Sequence, residues 1–255
     1  MKQSKVEFYD AEFFRQIGTA AAKSAAVIVP VVLRQIKVET VVDFGCADGT
    51  WLAVWKQYGA TRVLGIDGDY VDRNSLLIDK HKEFMSADLS KPINIGRMFD
   101  LVQSLEVAEH LPPSTSEVFV DNLVRHGRYI LFSAAVPGQL GINHLNERPY
   151  DYWRDLFARR DYVFVDGIRP AISGNRSVEW WYRYNTFLIV KETELDALPQ
   201  PVRDLRTIAG RPITDVSPVW YKAFRFVGRH LSVRMSTRIA SWGLKRRTNR
   251  SPDRA

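Results

Sequence analysis

A single cysteine among 255 residues, Cys46, excludes a disulfide within the chain and a zinc site built on thiolates. It suits a reducing compartment. The N-terminal MKQSKVEFYDAEFF carries acids and lacks an apolar h-region, so it does not read as a secretory signal. Long hydrophobic runs are missing too. The longest uncharged stretch near the start, Ser24 to Leu33, has 10 residues and contains Pro30, too short to span a bilayer. There is no internal repeat, and low complexity is confined to the C-terminus. That C-terminus is also nearly free of acids: from Arg225 to Ala255 nine Lys and Arg face only Asp253, a charge of +8. The whole chain carries +7, so residues 1–224 carry −1, and the basic character belongs to a tail. What is present is an ordinary globular balance, 45% apolar and 25% charged, with length for one α/β domain and appendages.

The most informative stretch is VVDFGCADGTWL, Val41 to Leu52. A β-rich apolar run ends in Asp43, Gly45, Ala47, Asp48 and Gly49, and a helical segment, Trp51 to Tyr58, follows. Small residues two apart at a strand-to-helix turn let a ligand lie on bare backbone, while the helix N-terminus offers its N–H groups. Upstream, residues 11–35 read as one or two helices with Pro30 as a kink. Further strands are expected at 63–66, 84–87, 99–104 and 129–133. A capping box, Ser114 with Glu117, opens a helix running to about Arg125. Strands alternating with helices predict a parallel sheet. After a loop over 134–148 and a helix near 150–160, strands at 162–165 and 186–190 would pair antiparallel at the sheet edge. The chain then divides into a helical lead-in (1–37), a main domain (38–192), a proline-punctuated linker (193–216), and a basic amphipathic helix and tail (217–255). Ser217 would cap that last helix with Pro218 in its first turn.

Four motifs in this order resemble the class I S-adenosylmethionine-dependent methyltransferases of the EVxEHL type, over about residues 35–190. They are the loop Asp43-Phe-Gly45-Cys-Ala47-Asp48-Gly49, the acid Asp67, the triplet Ala87-Asp88-Leu89, and Glu106-Val107-Ala108-Glu109-His110-Leu111. The resemblance implies an α/β, Rossmann-like fold with a seven-stranded, mostly parallel sheet and an antiparallel edge pair. It also implies S-adenosyl-L-methionine as cofactor, held by Asp43, Gly45, Ala47, Gly49, Asp67, Ala87, Asp88, Leu89 and Glu106. In that scheme Asp67 grips the ribose hydroxyls and Asp88 accepts from the adenine amino group. A carboxylate on ribose would serve a nicotinamide dinucleotide equally well. The loop separates the two cases, because Asp43 and Asp48 suit the ammonium end of a methionine moiety and would repel a diphosphate. Ala47 departs from the family pattern, adding a methyl group where the second glycine stands.

In open α/β sheets ligands lie beyond the carboxyl ends of the strands, which puts Glu106, Glu109 and His110 at the transfer centre. Two carboxylates and an imidazole within about one helical turn offer oxygen and nitrogen ligands to a divalent cation. The spacing resembles metal-dependent O-methyltransferases, so the resemblance implies Glu106, Glu109, His110 and His144 as a ligand set for Mg²⁺. The same string also occurs in relatives without metal. His144 follows the fifth strand and is either a ligand or a general base; His110 and Glu109 are the other catalytic candidates. The segment 137–157, with Arg176 and Glu179 to Tyr182, reads either as an acceptor pocket or, at the Trp180–Tyr182 end, as core and rim of an edge strand. His81, His126 and His230 sit in charged, surface-like contexts and receive no role.

Apolar residues recur at Trp220, Phe224, Val227, Leu231, Met235, Ile239 and Trp242, a stripe of roughly 120°. Such a helix docks on its own domain, lies on an anionic membrane with help from Lys245-Arg246-Arg247, or binds nucleic acid. A near-neutral domain argues against the last. The reading is a cytoplasmic methyltransferase acting on a small-molecule acceptor, a hydroxyl on a sugar, glycan precursor or secondary metabolite, with peripheral contact at the inner face of the membrane as an option. Its alternatives are an RNA 2′-O-methyltransferase and a cofactor-binding or membrane-associated scaffold without turnover.

Overall fold

The computed structural model describes the backbone of residues 11–248 and the side chains of residues 20–242. Residues 1–10, the side chains of Lys245, Arg246 and Arg247, and the end of the basic tail therefore lie outside the described residues. Seven strands form one sheet: β1 (Thr40–Phe44), β2 (Arg62–Asp67), β3 (Phe84–Ser86), β4 (Phe99–Leu105), β5 (Gly127–Ser133), β6 (Tyr162–Val165) and β7 (Phe187–Lys191). Their order is β3-β2-β1-β4-β5-β7-β6. The first five pair in parallel, and β7 runs antiparallel to both β5 and β6. This is the expected Rossmann-like sheet with its antiparallel edge pair.

Strand alternation assigns the two faces. Val41, Leu101, Leu131 and Val190 point into one core, shared with α1 (Ala11–Leu33) and α2 (Thr50–Gln57). Val42, Val102, Ile130 and Ile189 point into the other, shared with α3 (Ser116–His126) and α4 (Tyr150–Ala158). Three short helices follow: α5 (Arg169–Ile172), α6 (Trp180–Asn185) and α7 (Gln200–Arg203). The chain closes with α8 (Val219–Gly228) and α9 (Val233–Thr248).

Several local expectations are corrected. Of the two forms open for the lead-in, one helix or two, the single helix α1 is the one present, with Pro30 inside it. No capping box forms at α3: residues 113–115 make a 3-10 turn and Thr115 is the N-cap without a side-chain bond. Glu117 instead pairs with Arg159 and Arg160, both at 2.6 Å. Trp180 to Tyr182 belong to α6, not to an edge strand. Pro218, not Ser217, is the N-cap of α8, and Ser217 donates to Asp215 Oδ1 at 2.6 Å. The stretch after β7 packs closely, with Leu195 and Leu198 in the core and Arg206 bridging to Val165. His126 is buried, not at the surface: Nε2 accepts from the Ile95 amide at 3.0 Å and Nδ1 lies 2.7 Å from the Asn122 carbonyl. Burial first, then Arg125, holds its pKa below the ordinary imidazole value.

Candidate active site

Strand order reverses direction between β1 and β4, and the crevice at such a switch point is where open α/β sheets bind ligands. The loops leaving these two strands touch. Gly45 has φ +89, and a Cβ built there would stand 2.3 Å from Val107 Cγ2, so backbone geometry and close approach both demand glycine. Ala47 also adopts positive φ, 49°, which a glycine would take without the methyl group's cost of about 1–2 kcal/mol. Its amide donates to Asp67 Oδ2 at 2.8 Å, tying the loop to the end of β2.

The acids of the cofactor motifs are distributed differently from expectation. Asp67 is buried, and its Oδ1 accepts from the Gly68 amide at 2.7 Å and the Tyr70 hydroxyl at 2.5 Å. A carboxylate has about four lone-pair sites, and the amides of Ala47 and Gly68 with the Tyr70 hydroxyl take three of those of Asp67. Asp48 is occupied at the start of α2, accepting from Thr50 N at 3.0 Å and Thr50 Oγ1 at 2.6 Å. Asp43, two residues after Val41, shares its face and so points beneath α2, where its Oδ2 accepts from Gln103 Nε2 at 2.9 Å. Trp55 Nε1 fixes the other end of that amide at 2.9 Å. Burial pushes the Asp43 carboxyl up to about 8 against the lowering bond from Gln103. Gln103 has no counterpart among the residues singled out from sequence; an amide following the apolar pair Leu101-Val102 in β4 was the available signal. At the end of β3, Asp88 is exposed and folded back on Ser90, whose hydroxyl bond is the leading cause holding its pKa low. Ala87 donates its amide to the Asp67 carbonyl at 2.8 Å, while the Leu89 side chain packs into the core.

After β4 the chain turns through Glu106, at φ 57, into the 3-10 turn Ala108–His110. Glu106 Oε2 accepts from Gln139 Nε2 at 2.6 Å and Gln139 Oε1 from Asn185 Nδ2 at 2.7 Å. The Tyr150 hydroxyl reaches Asn185 Oδ1 at 3.0 Å, completing a buried polar chain across the end of the sheet. Burial raises the Glu106 pKa, opposed first by the Gln139 bond. Glu109 is fully buried, and neither carboxyl oxygen makes a hydrogen bond of normal geometry. Burial and then the nearby Glu106 push its pKa well above the usual carboxylate range.

Ligand atoms of Glu109, His110 and His144 lie within 4.8 Å of one another. Glu106, the fourth member of the expected metal set, falls outside this group and is turned to Gln139 and Asn185. The two imidazoles meet edge to face, 4.9 Å between centroids. His144 Nδ1 lies 2.9 Å from Glu147 Oε1. A carboxylate on Nδ1 selects the tautomer with its proton there and leaves the Nε2 lone pair as the basic or ligating site.

A cavity of about 310 Å³ opens beside this pair. Pro137, Gly138, Leu140, His144, Leu145 and Glu147 form one wall. The opposite wall is Gly228, Arg229, Leu231, Val233 and Ser236, from α8, α9 and the turn between them. The expected second wall, Arg176 and Glu179 to Tyr182, is absent from it: Arg176 is exposed, Tyr182 is core against Trp51, and Trp180 packs on Tyr221. The roof is seated by backbone contact. A Cβ at Gly228 would stand 2.4 Å from the Gly138 carbonyl oxygen, so the helix lies directly on the loop. Gly141 and Asn143 donate their amides to Ser236 Oγ at 3.2 Å and Thr237 Oγ1 at 3.0 Å. Buried Arg225 pairs with Asp215 and lies 5.1 Å over the Tyr221 ring. The single amphipathic helix expected from the apolar stripe is thus two helices, and the stripe is not the docked face: Trp220, Phe224, Val227, Met235 and Ile239 are exposed.

Comparison with known proteins identifies the fold at the family level. The family described as methyltransferase domain matches residues 12–166, more than half the chain. The chain belongs to that family. Among solved structures, this methyltransferase resembles a provisionally named O-methyltransferase from Nostoc punctiforme PCC 73102, at 13% identity and TM-score 0.50, covering 70% of this chain and 58% of that one. An O-methyltransferase family protein from Burkholderia thailandensis gives 15% identity and TM-score 0.50, covering 71% and 57%. The chain thus spans less than two thirds of the length of both. Magnesium protoporphyrin IX methyltransferase from Synechocystis PCC 6803, solved with bound SAH, gives 17% identity and TM-score 0.50, covering 69% and 84%. At these identities the likeness is one of fold. No curated protein matches the chain. The family match ends at residue 166, so β7, α6 and the whole α8–α9 roof lie beyond it.

Proposed function

We propose that this methyltransferase uses S-adenosylmethionine to methylate a hydroxyl of a small polar molecule held between the 137–147 loop and the α8–α9 roof. The acceptor class is a sugar, glycan precursor or secondary metabolite of comparable size. The observation that carries the reading is the His144–Glu147 pair, bonded at 2.9 Å on the wall of a cavity of about 310 Å³.

The chain's donor set suits the cofactor: Asp67 ends β2, Asp88 lies two residues past the neighbouring β3, and both stand beside a glycine-bearing loop whose helix follows at once. When bound there, the cofactor supplies an electrophilic methyl group and leaves as the thioether. Every other task falls to the protein. In this reading Asp67 takes the ribose hydroxyls, and Asp43, ionised by an approaching cation, takes the ammonium end. His144 Nε2 takes the acceptor's hydroxyl proton as the new carbon–oxygen bond forms, and Glu147 holds the imidazolium that results. The roof excludes water and orients the acceptor in line.

A second reading makes Glu109, His110 and His144 ligands of a divalent cation. The unpartnered, fully buried carboxyl of Glu109 favours it, since a cation would both ionise and satisfy that group.

Calorimetric titration with S-adenosylmethionine and its demethylated product, with and without Mg²⁺, is the deciding experiment. Micromolar binding supports the cofactor assignment, and its absence removes it. On an acceptor found by screening hydroxylated compounds, His144→Gln should lower kcat by about 10²–10⁴-fold with cofactor affinity unchanged. Activity that survives EDTA retires the metal reading.

A further inference from the structure

Helices α8 and α9 dock through Tyr221, Arg225, Gly228 and Ser236 and turn their apolar residues outward. Val219, Trp220, Phe226 and Val227 are 81%, 65%, 65% and 63% exposed. On α9, Met235 and Ile239 stand one turn apart and are exposed as well. At 100° per residue, the outward arc of α8 from Phe224 through Val227 to Phe226 covers about 160° of the helix. Exposed cations flank it: Lys222 and Arg229 on the α8 side, Arg234 and Arg238 on α9. The sequence holds no acid between Asp215 and Asp253.

Charge decides what can cover this surface. A second copy, related by a twofold axis, would set these cations against themselves. A nucleic acid would match the charge yet leave valine, isoleucine and methionine in water, because aliphatic side chains offer bases nothing to stack on. An anionic lipid surface satisfies both demands, with apolar side chains below the headgroups and Lys and Arg level with the phosphates. We infer that the outer face of α8–α9 is a docking surface for an anionic lipid bilayer. The enzyme lies on the surface by this face; among the described residues no helix is long and apolar enough to cross a membrane. Lys245, Arg246 and Arg247, by sequence, add to the same charge. Because the inner face of the same helices walls the His144 cavity, a docked enzyme holds that cavity about one helix diameter, roughly 10 Å, from the lipid.

The test is co-sedimentation of the full chain with vesicles of phosphatidylcholine alone or with about 30% phosphatidylglycerol, at about 0.1 M and about 0.5 M salt. Anionic vesicles at low salt should bind at least about tenfold more tightly than neutral ones, and high salt should weaken that binding. Phe226→Ser with Val227→Ser, and separately Arg234→Glu with Arg238→Glu, should each weaken it at least about tenfold. All four positions are exposed, so melting temperature and cofactor binding should stay at the parental values, which shows that the variants fold. Equal partition onto neutral and anionic vesicles, or none onto either, would overturn the inference. So would anionic binding indifferent to the Phe226 and Val227 substitutions, which assigns the attraction to tail charge alone. A solution dimer that the same substitutions dissociate would place a second copy on this face and overturn it too.

Discussion

Glu147 bonds His144 Nδ1 through one carboxyl oxygen, at 2.9 Å, and the Gly138 amide through the other, at 2.7 Å. The acid therefore fixes an imidazole and the loop that carries it in one geometry. Glu147→Gln keeps the shape but weakens both bonds and permits the wrong ring tautomer. We expect kcat to fall about tenfold to a hundredfold while the dissociation constant for S-adenosylmethionine is unchanged. Steady-state kinetics beside calorimetry reads the two separately; equal losses in both would assign Glu147 a structural role only.

If Asp43 holds the ammonium end, cofactor binding should depend on pH. Burial, the leading cause, pushes its carboxyl up to about 8. A cationic ligand binds the ionised form, so below pH 8 binding must release a proton. Affinity should rise by up to about tenfold per pH unit as pH approaches 8 and then level off. Stability of the free protein runs the opposite way: the native pKa lies above the unfolded one, so the native state holds the extra proton between about pH 4 and 8 and loses stability as pH rises. Calorimetry in buffers of different ionisation enthalpy measures the proton. Asp43→Asn should flatten the profile; no proton release at pH 7 would refute the assignment.

If Asp67 takes the ribose, its loss should weaken cofactor binding more than loss of Asp48, whose carboxyl is turned to Thr50 at the start of α2. Asp67→Asn removes the carboxylate charge from that acceptor and should weaken S-adenosylmethionine binding about 10–100-fold. Since Asp67 also ties down Ala47 and Tyr70, Asp67→Ala should lower the melting temperature as well. Unchanged affinity in the Asn variant would remove the ribose assignment.

Gly228→Ala drives a methyl group into the Gly138 carbonyl, where 2.4 Å is available. The roof must lift, at a cost of about 1–3 kcal/mol, and the acceptor KM should rise more than the cofactor's. Thermal unfolding and the two KM values check this; a variant with parental stability would mean that α8 is not seated on the loop.

Most of the sheet is legible in the sequence because its strands are short apolar runs closed by Asp, Gly or Ser, and alternation fixes which face each residue takes. The cofactor motifs are legible for the same reason: loop chemistry is local. What those acids bond to is not. Asp43, Asp48 and Asp67 look alike in sequence, yet one faces Gln103 beneath α2, one is bonded to Thr50 at the start of α2, and one spans two loops. The roof defeats periodicity most clearly. Its apolar stripe reads as the buried face, whereas Gly228 and Ser236 are buried by long-range partners, Gly138 and Gly141, that no window of neighbouring residues contains.

The contact between Gly138 and Gly228 divides the molecule into parts that can be exchanged. Five cavity residues come from the roof, and none of them contributes to the His144–Glu147 pair. A different roof, grafted so that a glycine meets Gly138, would present a new acceptor to an unaltered base. On the proposed reading, acceptor selectivity would then be a replaceable module with the two glycines as its socket.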